Sequence, residues 1–164
     1  MEMQHINVKL IVENPGGVDL EPLIPIFHNW IQDQVCDELL LDVADYRHVQ
    51  AGPGIVLIGH QANYSVDNTD GRLGVRYSRK AALEGSNHDR LRQATLAALR
   101  ACERLESEPN LNGQLHFNGR ELELFVNDRL IAPNLETTHD STQPDLRAFF
   151  EGLFSVGGMP LLSW

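Results

Sequence analysis

The chain has 164 residues, with 13 Lys or Arg against 23 Asp or Glu, so its formal net charge is −10. A content of 42% hydrophobic and 22% charged residues predicts one ordinary globular domain and excludes a disordered chain. The sequence holds no apolar run of the roughly 18 residues that a membrane span needs. Its acidic balance argues against nucleic acid as the main partner. The first residues lack the features of a secretory signal, which predicts a cytoplasmic protein.

The first third of the chain predicts a strand, a helix and a second strand. Apolar residues alternate from His5 to Glu13, as in a half-buried strand whose inner face is Ile6, Val8, Leu10 and Val12. A helix is expected after Asp19, with Pro25 delaying its regular part and an apolar stripe of Leu23, Ile26, Phe27, Trp30 and Ile31. The apolar run inside Glu38–Val43 predicts a short buried strand.

A hairpin is predicted in the middle of the chain. Ile55–Ile58 is apolar on both faces, and strict alternation follows from Gly59. A four-residue loop at Asn68–Gly71 would bring alternating residues together in the pairs Val66 with Leu73, Tyr64 with Val75, Ala62 with Tyr77 and His60 with Arg79. This register collects the apolar side chains on one face of the sheet.

The last third predicts two helices around a small meander. Ser86 and Asp89 form a partial capping box at the start of a helix that ends before Pro109. Tight turns at Asn118–Gly119 and Asn127–Asp128 would give three strands with a dry face of Leu115, Leu122, Leu124 and Ile131. A further helix is expected from about Thr142, with a stripe of Leu146, Phe149, Phe150 and Leu153.

These elements predict an α+β fold. We expect a largely antiparallel or mixed sheet of about seven strands, with three helices packed mainly on one face. Residues 1–154 would form a single domain, and residues 155–164 an apolar C-terminal tail. A tail rich in large apolar side chains suits an interface, and its candidate contact residues are Met159, Leu161, Leu162 and Trp164.

One cluster of polar residues on the predicted hairpin is a candidate ligand site. A partly buried His60 could act as a base, and arginines can bind a carboxylate or phosphate. The candidate residues are His60, Asn63, Tyr64, Arg76 and Arg79. The other interpretation is that these side chains only solvate an exposed face, since no nucleophile accompanies them.

Metal and cofactor motifs are weak throughout the sequence. Asp42, Asp45 and His48 are spaced three apart, but they fall beside a loop, where we expect the carboxylates to cap a turn and pair with Arg47. The two cysteines, Cys36 and Cys102, sit in no paired motif and are expected to be small buried hydrophobes. We therefore predict no metal and no cofactor.

Three segments together resemble a small, uncharacterised bacterial family. They are Asp45–Val49, Gly52–His60 and Gly71–Gly74. The resemblance would extend from the first strand to about Phe154. It implies a bacterial, cytoplasmic protein and implies no activity, ligand or catalytic residue.

The sequence favours a non-enzymatic domain that binds a protein partner or forms a homo-oligomer, through an exposed sheet edge or the apolar tail. The alternative is a site for a small anionic ligand, in a binding protein or an enzyme, near His60 and Arg76. A concave pocket that holds several of the five candidate side chains would favour this alternative.

Overall fold

Six strands and three helices make up the described part of the domain. The computed structural model describes residues 1–13 and 15–154. The strands are β1 (Ile6–Val12), β2 (Leu40–Tyr46), β3 (Gly54–Gly59), β4 (Ala62–Asp67), β5 (Gly74–Arg79) and β6 (Phe117–Val126). The helices are α1 (Leu23–Asp33), α2 (Asn87–Glu106) and α3 (Glu136–Phe154).

The strands form one antiparallel sheet in the order β2-β3-β4-β5-β1-β6. The predicted α+β class is confirmed, although the described residues form six strands and not the seven expected. Within the same residues, no helix is long and apolar enough to cross a membrane.

The two helices that lie on the sheet stand apart above β4, although the inner side chains of β4, Ala62, Tyr64 and Val66, are buried. Helix α1 lies on β2 and the adjacent β3, whereas α2 lies on β5 and β1 and carries α3 beside it. Neighbouring strands are about 4.8 Å apart, so α1 and α2 are separated by roughly three strand spacings, or about 14 Å. Helices in contact are about 8–10 Å apart. The inner face of β4 therefore lies beneath a gap between the two helices.

Strand β1 is buried on both faces, although its alternation predicts one polar, exposed face. The inner set of Ile6, Val8, Leu10 and Val12 is buried as predicted. On the other face, Lys9 is only 1% exposed, and its Nζ donates to Asp67 Oδ1 at 2.9 Å. The carbonyl of Thr69 accepts a second bond from Nζ at 3.3 Å. A buried ion pair therefore covers the outer face of β1.

The β4–β5 hairpin forms in a register two residues away from the predicted one. Tyr64 pairs with Tyr77 and Val66 with Val75. The connection is longer than the predicted four residues, because a turn of 3-10 helix occupies Thr69–Gly71. A shift of two residues leaves every side chain on its original face, so the prediction of the buried face is confirmed while the pairing was wrong.

The Asn118–Gly119 signal does not make a hairpin, because β6 continues through it. Gly119 has a positive φ of 66°, as a turn would require. Leu10 pairs with Leu122 and Val12 with Phe117, so the register shifts within this stretch. The additional residues of β6 are accommodated in a bulge, which is another use of a glycine with positive φ.

The strand predicted after Asn127–Asp128 is not formed. The Asp128 side chain accepts the backbone N–H groups of Leu130 and Ile131, both at 3.2 Å, and its carbonyl accepts the N–H of Ala132 at 2.7 Å. These bonds stabilise a turn in place of an extended strand. Helix α3 then begins at Glu136, earlier than the predicted start. Among the described strands, β6 consequently pairs with β1 alone.

The apolar run before β3 is an edge strand and not a buried one. Leu40 is 2% exposed, whereas Leu39 and Leu41 are 53% and 51% exposed. Of the described strands, β2 pairs only with β3, and its register shifts between Leu40 and Asp42. Alternating burial is the pattern of a strand with one face on the core.

The two helix starts differ in how well local sequence predicts them. The Ser86 and Asp89 capping box is present, with the Asp89 N–H donating to Ser86 Oγ at 3.2 Å. Helix α1 begins at Leu23 without a side-chain cap, and Asp19 instead accepts the N–H of Glu21 at 3.0 Å. Pro25 fits the first turn of α1 because the amides there have no helical partner.

Removing one partner of the Lys9–Asp67 ion pair should cost more than removing both. Asp67→Ala leaves a buried ammonium without its carboxylate, so we expect the free energy of unfolding to fall by about 3–5 kcal/mol. The double variant Lys9→Met/Asp67→Leu should lose less, because no charge is left buried. Urea denaturation measures both. A loss for Asp67→Ala no larger than that for the exposed substitution Glu84→Ala would contradict the prediction.

Candidate ligand-binding cleft

The gap between α1 and α2 forms a cleft of about 650 Å³ above β4. Its apolar wall residues come from α1, the segment after it and α2, whereas charged and polar side chains make up about half of the lining. These wall residues are Trp30, Val35, Leu96, Ala97 and Ala101. Small-molecule sites commonly have volumes of about 300–1,000 Å³, so the cleft has the size of such a site, with a more polar lining than most.

Gln34 shapes the segment that closes one side of the cleft. It ends α1 in the left-handed conformation, with φ 46° and ψ 55°. Its side chain then bonds Leu40 in both directions, accepting from the N–H at 3.1 Å and donating to the carbonyl at 3.0 Å. These bonds fix a tight path from α1 to β2, which carries Val35, Cys36 and Asp37 along the cleft.

A buried carboxylate lies directly beneath the cleft. Glu38 is 4% exposed, and its two oxygens accept the hydroxyls of Tyr64 at 2.7 Å and Tyr77 at 2.8 Å. The two tyrosines are cross-strand partners on β4 and β5, with ring centroids 5.1 Å apart in an edge-to-face arrangement. The floor of the cleft is thus a hydrogen-bonded unit that joins the α1–β2 segment to the centre of the sheet.

Two further polar side chains reach this unit from α2 and β5. The Gln93 amide nitrogen donates to the Tyr77 hydroxyl at 2.9 Å. An Arg79 guanidinium nitrogen lies 3.5 Å from the same hydroxyl oxygen, while its Nε donates to the Ala81 carbonyl at 2.9 Å. The Tyr77 hydroxyl therefore has hydrogen-bonding groups on all sides and does not line the cleft. Tyr64 and Gln93, in contrast, do line the cleft.

Burial keeps the hydroxyl and thiol groups of this region protonated. It raises the pKa of Tyr77 to about 12, and it raises the pKa of Tyr64 well above its usual range. Burial likewise raises the pKa of the Cys36 thiol to about 11. At neutral pH both phenols can donate to Glu38, and Cys36 is a neutral thiol. These groups suit binding better than nucleophilic attack, which needs a thiolate or an activated hydroxyl.

Three arginines of α2 lie along the mouth of the cleft. Arg92, Arg100 and Arg104 are spaced by eight and four residues, which places them on one side of a helix. The Arg104 guanidinium carbon lies 5.8 Å from the centroid of the Trp30 ring. Three of the 13 basic residues of an acidic chain are therefore gathered at one opening.

Three acidic residues, Asp37, Asp89 and Glu103, also line this mouth and equal the arginines in number, but Asp37 and Asp89 already have partners. Asp89 accepts the N–H of Ser86 at 2.9 Å as part of the α2 cap. Asp37 lies 3.6 Å from Arg100, in an ion pair whose side chains are mostly exposed. Such a pair contributes little and can open to admit another anion. The mouth can therefore present guanidinium groups to a bound anion.

The five candidate residues from the sequence do not meet in one pocket. Tyr64 lines the cleft, and Arg79 contacts the Tyr77 hydroxyl beneath it. His60 is exposed in the β3–β4 turn, and Asn63 lies on the outer face, where its side chain accepts the Gly59 N–H at 3.3 Å.

Arg76, the fifth candidate, also lies on the outer face. Its guanidinium carbon is 5.1 Å from the centroid of the Phe125 ring, and one of its nitrogens is 3.8 Å from Asp67. The structure thus brings Tyr64 and Arg79 to one polar unit and leaves the other three residues elsewhere.

The sequence also offered three other candidate sites, namely the C-terminal tail, the turn at Asp45 and a metal site. The tail residues Met159, Leu161, Leu162 and Trp164 lie outside the described residues. In the predicted turn, Arg47 pairs with Asp45 at 2.7 Å as expected. Across the described part of the chain, no group of three or more His, Cys, Asp or Glu side chains could hold a metal ion.

Sequence reasoning missed most of the cleft. The helical spacing of Arg92, Arg100 and Arg104 was a usable signal, since it marks one basic stripe on a predicted helix. Glu38 gave no signal, because a glutamate before a strand is usually exposed. Only the tertiary pairing of β4 with β5 shows that two tyrosines converge on its carboxylate.

Comparisons of the chain with protein-family models, with curated proteins and with solved structures find no match.

The raised tyrosine pKa values predict a loss of stability in alkali. Above pH 10.0, the ordinary pKa, an unfolded chain loses phenolic protons that the folded chain still holds. For each tyrosine the free energy of unfolding should then fall by up to about 1.4 kcal/mol per pH unit. For Tyr77 the fall should level off near its folded pKa of about 12.

Denaturation as a function of pH, for the wild type and for Tyr77→Phe and Tyr64→Phe, isolates this contribution. Each variant should show a shallower loss of stability above pH 10.0, since phenylalanine has no proton to lose. Identical slopes for the wild type and both variants would contradict the prediction.

Proposed function

We propose that the protein binds a small organic anion in the cleft between α1 and α2. The observation that carries this proposal is the combination of three arginines at the mouth with a buried, fully hydrogen-bonded polar floor. A polar floor costs stability unless every group is paired, and here Glu38 is paired twice. Such a floor is pre-organised, which lowers the entropy cost of binding.

The mouth accounts for the anionic end of the ligand. Guanidinium groups bind carboxylates and phosphates through two parallel hydrogen bonds. Arg100 and Arg104 are one helical turn apart, so both can reach a single anionic group. The contact between Arg104 and the Trp30 ring holds one of these guanidinium groups against the cleft wall.

The floor accounts for the other end of the ligand. The single hydroxyl proton of Tyr64 is donated to Glu38, so the hydroxyl offers only its lone pairs to the cleft. The Gln93 nitrogen donates to the Tyr77 hydroxyl at 2.9 Å. Its carbonyl oxygen lies 3.4 Å from the same hydroxyl but can accept from a ligand, because the Tyr77 proton is donated to Glu38. These two groups favour a ligand that donates hydrogen bonds. A hydroxy acid or an amino acid combines such a donor with an anion.

Protein interaction is a second candidate function, and it matches the leading expectation from the sequence. Its supporting observation is the β6 edge, which no other described strand covers, next to exposed aliphatic side chains. The bacterial source, the cytoplasmic location and the lack of a nucleic-acid partner stay predictions, as does a non-enzymatic role.

Removing two arginines should weaken anion binding in the cleft. In a Trp164→Phe background, Trp30 is the only remaining tryptophan and reports from the cleft wall. Malate and succinate are suitable probes because they differ by one hydroxyl group. We expect malate to change Trp30 fluorescence and to bind more tightly than succinate. Arg100→Ala/Arg104→Ala should weaken malate binding by about tenfold or more, since charge-assisted hydrogen bonds are lost.

Arg147→Ala is the matched control, because this arginine lies on an exposed position of α3 outside the cleft. It should leave the affinity for malate unchanged. Equal weakening by the control and by the double variant would show nonspecific charge attraction. No response to carboxylate or phosphate probes at millimolar concentration would count against an anion site.

A further inference from the structure

The lining of the cleft changes in polarity from the mouth to the floor. Its charged side chains are all exposed and form the mouth: Asp37, Asp89, Arg92, Arg100, Glu103 and Arg104. An apolar layer lies deeper, in which Trp30 and Ala101 are 3% and 4% exposed and Val35 and Ala97 are half-buried. The floor beneath carries the Tyr64 hydroxyl. A ligand that fills the cleft would therefore contact charge, then apolar side chains, then hydrogen-bonding groups.

The apolar layer has two walls that face each other across the gap between the helices. Trp30 and Val35 form one wall, and Ala97 and Ala101, one turn apart on α2, form the other. The separation of about 14 Å exceeds that of helices in contact by about 4–6 Å. Packed carbon atoms lie about 3.5–4.0 Å apart, so this excess admits one layer of carbon atoms and excludes two. The gap therefore suits a flat apolar group.

Long side chains bridge the two walls at one end of the cleft. Trp30 Nε1 donates to Glu108 Oε1 at 3.2 Å, which joins α1 to the segment after α2. The Arg104 guanidinium also reaches the Trp30 ring, with its carbon 5.8 Å from the ring centroid. These contacts hold the walls at their distance before a ligand binds, so little ordering is left for binding to complete.

We propose, on the basis of the anion site described above, that its ligand is a phenolic carboxylic acid. Such a molecule has a flat aromatic ring with a carboxylate at one end and a hydroxyl at the other. The carboxylate would bind Arg100 and Arg104, and the ring would lie between the apolar walls. The hydroxyl would donate to the floor, where the Tyr64 oxygen accepts. This order of anion, ring and donor is the order of the lining.

An aromatic ring fits the apolar layer better than an aliphatic group of similar size. A saturated six-membered ring is puckered and is thicker than one layer of carbon atoms. An alkyl chain is thin enough, but it loses more conformational entropy when it is bound. Only an aromatic ring can also form ring pairs with Trp30 and Tyr64, which add to the energy of burial.

Isothermal titration calorimetry with related carboxylates tests the ring and the hydroxyl separately. We expect 4-hydroxyphenylacetate to bind about tenfold or more tightly than malate, because its ring is buried between apolar walls. Phenylacetate has no hydroxyl, and 4-methoxyphenylacetate has an oxygen that cannot donate. Each should bind about fivefold or more weakly than 4-hydroxyphenylacetate. The saturated analogue trans-4-hydroxycyclohexylacetate should also bind more weakly, since its ring is too thick for the gap.

Ala97→Leu tests the position of the ring, because it places a larger side chain in the α2 wall. It should weaken the binding of 4-hydroxyphenylacetate about tenfold or more and that of malate much less, since malate has no ring. Ala148→Leu is the matched control, because Ala148 is exposed on α3 outside the cleft. It should change neither affinity. Circular dichroism melting would show that each variant is folded.

The ligand class and the anion site can fail separately. If malate binds and Arg100→Ala/Arg104→Ala weakens it, the anion site stands. In that case, 4-hydroxyphenylacetate that binds no more tightly than malate overturns the ligand class alone. Equal affinity for the methoxy or the cyclohexane analogue overturns it as well, and so does an equal loss of both ligands in Ala97→Leu. If neither malate nor 4-hydroxyphenylacetate binds, both proposals are wrong.

Discussion

The two hydrogen bonds to Glu38 are the constraint on which the cleft depends. A buried carboxylate is costly unless it is well bonded, and here each oxygen receives a tyrosine hydroxyl. Because Tyr64 and Tyr77 stand on the two central strands, these bonds hold the segment after α1 at a fixed height above the sheet. The segment cannot fold inward to fill the gap between α1 and α2, since Glu38 already occupies that position. The gap between α1 and α2 is therefore a cavity whose floor is the hydrogen-bonded unit of Glu38, Tyr64 and Tyr77.

The outer face of the sheet also contains a buried charged side chain that is paired, and here it is the lysine Lys9. No helix of the described residues lies on that face, yet Lys9 and Asp67 are each only 1% exposed. Their ion pair, with Arg76 and Phe125 beside it, occupies space that a second helix layer would otherwise fill. Buried ion pairs add little net stability, but they penalise any register that separates the partners. The pair therefore favours the observed position of β1 relative to β4, two strands away.

Local signals in the sequence predicted the elements whose determinants are local. The alternation in β1, the stripe of α1 and the Ser86 cap each depend on neighbours within one element. Gly119 shows the limit of such signals, because a positive φ suits a bulge as well as a turn and only pairing with β1 decides between them. Glu38, Tyr64 and Gln93 lie far apart in the sequence, so their convergence depends on strand order. The hydrophobic periodicity of the sequence predicts individual strands but does not determine their order in the sheet.

The cleft and the β6 edge lie well apart in the sheet. Strand β4 is third in the sheet and β6 is sixth, so about 14 Å of paired backbone separates them. None of the residues that line the cleft belongs to β6 or to the loop that carries Leu130. Any effect of the proposed ligand on the β6 edge must therefore pass through β5 and β1. Both are buried within the sheet, where close packing resists small displacements. A change at the cleft floor is accordingly expected to stay near β4 and β5 and to leave the β6 edge unchanged.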